Sequence, residues 1–141
     1  MGIVEKRLKH LTIHSLVEPR KFPVGFLLRK LTTPMFSMHN LVIRSISNLS
    51  PRGLNQAFSM EYEIDKMYWL VVRQLVLAVK GKEIGREIGI DSPTHVLGNR
   101  TVANALEHIS ESLYIIGSEL QEEFQKSEPV NLRATMHEIA E

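Results

Sequence analysis

From Val102 onward the apolar residues advance in alternating steps of four and three: Val102, Leu106, Ile109, Leu113, Ile116 and Leu120. That spacing keeps one face of an α-helix apolar for about five turns and excludes a half-buried strand, whose faces alternate at every second residue. Ala103, Ser110 and Gly117 lie beside this seam and are small enough to admit a neighbouring helix closely. The same rhythm runs through Met35, Met38, Val42, Ser45 and Leu49. Between these segments, Leu54, Phe58, Tyr68, Val72, Leu75 and Val79 make one stripe, and Met60, Ile64, Met67, Val71 and Ala78 make a second beside it. A face that wide suits a helix with two neighbours. The fold predicted is all-α: a three-helix antiparallel bundle with an irregular N-terminal lead and a short C-terminal helix.

Turn residues place the boundaries. Ser50-Pro51 and Ser92-Pro93 each read as an N-cap followed by proline at the first helical position. Helix two is therefore expected over about 52–80, roughly 40 Å long, and helix three from 93 to about 126. Pro23 opens a short helical stretch to Leu31; Thr33-Pro34 then either kinks it or starts helix one afresh, ending near Asn48 or Leu49. Glu128-Pro129 is expected to break helix three, leaving "NLRATMHEIAE" as a short terminal helix. The linker "KGKEIGREIGID" reads as a loop from which only Ile84, Ile88 and Ile90 can pack down. "KHLTIHSL" alternates like a strand but has no evident partner. The chain divides into a basic N-terminal lead or connector (1–22), the bundle (23–127) and a C-terminal tail (128–141).

At 141 residues, 43% of them hydrophobic, one core is the natural outcome. The absence of cysteine excludes disulfides, thiolate metal sites and a Cys nucleophile, and fits a reducing, cytoplasmic setting. No apolar run reaches the roughly 18 residues that a membrane span needs, so no membrane insertion is expected. The net charge of +1 conceals a split: residues 1–52 carry nine Lys or Arg against two acids, and the remainder eight against fourteen. Such a split marks either a basic face for DNA or an acidic partner, or solvated charge alone.

The chemistry-bearing residues are acids. Glu61 and Asp65 are four apart on helix two, interrupting its first apolar stripe for one turn, and Glu107 and Glu111 repeat the spacing on helix three. Like charges so placed repel by a few tenths of a kcal/mol unless a cation is near. The acids read either as metal ligands or as solvated charges paired with Lys66 or Arg100. His108 lies about 100° round the helix from Glu107 and is expected to be a poor co-ligand for Glu111. Nothing marks a nucleophile or substrate pocket, and "GKEIGREIG" lacks the Lys-hydroxyl pair of a phosphate loop. An enzyme is not expected. His10, His14, His39, His95 and His137 are scattered; Tyr68 and Trp69 are expected to be packing or interface residues, and Met35, Met38, Met60 and Met67 core or adaptable interface.

"EYEIDKMYWLVVRQL", followed after the linker by "NRTVANALEHISESLYIIGSEL", resembles the PhoU family of phosphate-uptake regulators, in the form common among archaeal members. The resemblance spans about residues 25–125. It implies a three-helix bundle, of which two usually occur in tandem. It also implies metal binding through acidic motifs, often of iron or zinc, and a non-enzymatic role restraining uptake with a phosphate ABC transporter. Glu61 and Asp65 match the first motif, Glu107 and Glu111 the second, and Arg100 the arginine before it. Glu111 stands where the family has Asp, and Ser112 where His is frequent. With a single repeat here, a homodimer is expected to supply the missing half. Alternatives are a DNA-binding regulator that uses the basic first third, and a plain helical dimerisation module.

Overall fold

The computed structural model describes residues 4–7, 10–13 and 18–138, with side chains described for 18–127. A 3-10 turn, Pro19–Lys21, leads into four helices: α1 (Val24–Ser47), α2 (Leu54–Lys80), α3 (Lys82–Glu87) and α4 (Pro93–Glu138). α1, α2 and α4 pack on one another as the expected bundle, each meeting the other two. Their shared core includes Leu27, Leu31, Met38 and Val42 from α1, and Leu54, Ile64 and Val71 from α2. No helix among the described residues is long and apolar enough to cross a membrane.

Several boundaries differ from expectation. The strand suggested by "KHLTIHSL" has a partner after all: β2 (His10–Ile13) pairs antiparallel with β1 (Val4–Arg7), Val4 opposite Ile13. A hairpin needs only the chain immediately before it. α1 is one helix straight through Pro34, and α4 continues through Pro129 instead of ending before it. Proline removes a single donor, and the carbonyls freed four residues earlier belong to the exposed Lys30 and Gln125, where water can replace the lost bond. Ser50 does not cap α2; its hydroxyl accepts from Arg52 N–H at 3.3 Å, and Gly53, at φ 94°, is the N-cap.

The linker folds where a loop was expected, forming α3, and its isoleucines do pack down: Ile88 and Ile90 are buried and Ile84 partly so. Gly85 makes this tight return possible. A Cβ there would stand 2.7 Å from the Ile90 carbonyl oxygen and 3.4 Å from that of Ala78. Ile88 in turn accepts the Val24 N–H at 3.0 Å, so α1 starts beside the linker that precedes α4, and these two helices run parallel.

On α4 the seam is rotated from the expected line. Ala103, Ser110, Leu113 and Gly117 are buried and Leu106 and Leu120 partly so, whereas Val102, Ile109 and Ile116 are nearly half exposed. The small residues are the seam itself rather than its border. A Cβ on Gly117 would meet Phe58 Cε1 at 2.9 Å, which shows how closely α2 approaches.

Candidate metal centre

Two aromatic contacts set the antiparallel register of α2 against α4. Phe58 packs edge-on against Tyr114 with ring centroids 5.0 Å apart, and the Arg100 guanidinium lies over the Tyr68 ring at 5.1 Å. Between Phe58 and Tyr68 lie Glu61 and Asp65; between Arg100 and Tyr114 lie Glu107 and Glu111. The two acidic turns, forty-odd residues apart in sequence, therefore face one another across the helix pair.

Glu61 and Asp65 are half-buried at this contact. They lie one turn apart, as their spacing requires, and Glu61 is close enough to α4 to feel Glu107 and Glu111. Partial burial, followed by the charges of Asp65, Glu107 and Glu111, raises the Glu61 carboxyl above the ordinary carboxylate range.

His108 joins the cluster, against the sequence reading. Its Nδ1 lies 3.4 Å from Glu111 Oε2 and 3.6 Å from Glu107 Oε2, and the three side chains bring ligand atoms within 4.8 Å of one another. The angle from Glu107 is not the one that matters: His108 and Glu111 are three residues apart and so are neighbours on a helix.

The cations proposed to neutralise the acids do not do so. Lys66 pairs with Glu63 at 3.0 Å and sits over the Tyr62 ring, while Arg100 Nη1 donates to Asn104 Oδ1 at 3.2 Å. Among the described residues, no Lys or Arg nitrogen comes within 4 Å of Glu61, Asp65, Glu107 or Glu111. Of these acids, Glu107 and Glu111 bring ligand atoms together with His108, a carboxylate–imidazole grouping of the kind that can hold a divalent ion, and Glu61 lies near enough to feel both glutamates.

Other sequence candidates separate. Tyr68 is buried packing, but Trp69 is 61% exposed. Met35 and Met38 are core, and Met60 and Met67 pack at its margin. His95 Nδ1 pairs with Asp91 Oδ1 at 2.7 Å, away from the cluster. The side chains of His10, His14 and His137 lie outside the described residues. Gln74, which spacing did not single out, is fully buried and donates through Nε2 to the Pro19 and Phe22 carbonyls, at 2.7 Å each. A lone glutamine amid Val71, Val72 and Leu75 was the only hint.

Residues 28–120 match the PhoU domain. The chain belongs to this family. PhoU proteins are regulators of phosphate homeostasis and not enzymes, and the match takes in α2, α3 and both acidic turns. No curated protein and no solved structure gave a match.

Proposed function

We propose that this PhoU domain restrains phosphate uptake by contact with components of a phosphate ABC transporter, and that a divalent metal ion at the α2–α4 contact tunes that contact. The observation carrying this reading is the convergence of Glu61, Asp65, Glu107 and Glu111, with His108 at the rim, and no Lys or Arg nitrogen within 4 Å among the described residues. Repulsion among carboxylates loosens α2 from α4; a bound cation reverses its sign and clamps the pair. With an imidazole beside carboxylates, iron and zinc are the ions best suited, ahead of magnesium or calcium. Bound metal thereby sets how firmly the bundle presents its surface to a partner.

Native mass spectrometry of the purified chain before and after chelation tests this. The expected spectrum carries iron or zinc that chelation removes and that the Glu61→Ala, Asp65→Ala double variant does not hold. A metal-free spectrum at saturating zinc and ferrous iron would sink the metal reading and leave regulation by protein contact alone.

A further inference from the structure

The linker that folds into α3 carries two cations that neither the core nor the acidic centre uses. Lys82 and Arg86 are exposed one turn apart on α3, and neither has a carboxylate oxygen within 4 Å among the described residues. Like charges at this spacing repel unless an anion stands between them. The rest of α3 is anchored. Gly85 sits beneath the Ile90 carbonyl, Ile88 is buried and bonded to the start of α1, and Glu87 is drawn to Arg20 at 2.8 Å. The two cations therefore stand on a fixed support, as a binding site requires.

Both line a cavity of about 460 Å³ enclosed by the end of α2, by α3 and by the start of α4. Small-molecule sites usually occupy roughly 300–1,000 Å³. Its floor is apolar, made by Val79 of α2, Ile90 of the linker and Val96 of α4. Val79 and Val96 also line an adjoining groove of about 270 Å³, which continues over Val72 and Val76 and carries Lys80 and Arg100. The apolar floor is thus shared by two connected hollows, and cations border both.

Two polar groups complete the wall. Ser92 Oγ accepts the His95 N–H at 3.3 Å, which leaves its own proton to donate. Asp91 pairs with the His95 ring through Oδ1 at 2.7 Å, so its second oxygen can still accept. Along the sequence the linker lacks the Lys-hydroxyl pair of a phosphate loop, but the fold brings the Ser92 hydroxyl to the same cavity as Lys82. This wall asks for a ligand that is anionic at one end, apolar and flat in its body, and able to donate a hydrogen bond. A nucleoside phosphate has all three: phosphate for Lys82 and Arg86, a base for Val79 and Val96, and a ribose hydroxyl for Asp91. A bare inorganic anion leaves the floor uncovered, and an acyl chain offers Asp91 no donor.

We propose that the cavity between α2, α3 and α4 binds a nucleoside phosphate. It begins about 20 Å along α4 from Glu107 and is independent of the acidic centre. ADP is titrated calorimetrically into the full chain in excess EDTA, so that no metal carries the phosphate to the acids. One ADP per chain is expected, with a dissociation constant of about 100 μM or tighter. Adenosine and inorganic phosphate are each expected to bind at least about tenfold more weakly, because each reaches only part of the wall.

Lys82→Glu and Arg86→Glu, both at exposed positions, each raise the ADP dissociation constant at least about tenfold at an unchanged melting temperature. Val79→Asp, on a side chain 71% exposed, does the same by placing a carboxylate on the floor. Arg44→Glu, about 30 Å away along α1, leaves the affinity as it was. No saturable binding at millimolar ADP, or affinity indifferent to Lys82→Glu and Arg86→Glu, would overturn the proposal. So would inorganic phosphate or adenosine binding as tightly as ADP, since the wall would then be reading only one end of the molecule. An equal loss in Arg44→Glu would reduce the effect to diffuse charge and overturn it as well.

Discussion

At the scale of single residues, Glu61 concentrates the tension in this molecule. Its carboxyl is raised by burial and then by three neighbouring acids, so the folded chain binds that proton more firmly than the unfolded chain does. The resulting penalty is absent below the unfolded-state value and fully present above the raised folded-state value. In metal-free protein, Glu61→Gln is therefore expected to raise the melting temperature at pH 7, and the gain is expected to fade as the pH drops through the raised value. Melting scans from pH 4 to 8 check this; a gain that is the same at every pH would remove the electrostatic explanation. Gln74 is the opposite case, a buried polar group that holds. Its amide ties the Pro19–Phe22 turn to α2, and Gln74→Leu strips two carbonyls of their donor. A loss of about 2 kcal/mol is expected, read from urea unfolding.

At the scale of elements, the helices owe their existence to period and their ends to context. Three-and-four spacing is enough to locate α1, α2 and α4, because amphipathic stripes sustained over about four turns or more have no competing reading. The ends were less legible. Proline signals failed at residues 34 and 129 because one missing donor is tolerable where the freed carbonyl can be hydrated, and hydration depends on the neighbours. Pro34→Ala is accordingly expected to stabilise α1, by about 1–3 kcal/mol, since it restores a backbone bond. α3 was missed because its six residues have no periodicity of their own; it forms where Gly85 slides beneath Ile90. Gly85→Ala is expected to destabilise by about 1–3 kcal/mol, because backbone at 2.7 Å cannot yield as a flexible side chain would. Urea midpoints of the two variants should move in opposite directions.

At the scale of the whole molecule, the acidic centre joins α2 to α4 and so couples local chemistry to global stability. A metal that binds only the folded bundle stabilises it by mass action, about 2.7 kcal/mol at one hundred times the dissociation constant. Zinc titration is expected to raise the melting temperature of the wild type and not that of the Glu61→Ala, Asp65→Ala variant; a rise in both would place the ion elsewhere. The sequence alone determined the class of fold, the identity of the three long helices and the i,i+4 pairing of acids on α2 and on α4, because periodicity and spacing along one helix are local properties. Which acids face each other, that His108 stands with Glu111, and which third of the α4 apolar surface is core were decided only by the tertiary structure. A stripe from Val102 to Leu120 is compatible with several rotations about its axis. Only the partner helices choose among them, and here α2 approaches closely at Gly117, on the same line as the buried Ala103 and Ser110, because small side chains permit the closest packing. That choice turns Glu107 and Glu111 toward Glu61 and leaves Val102, Ile109 and Ile116 on the outside.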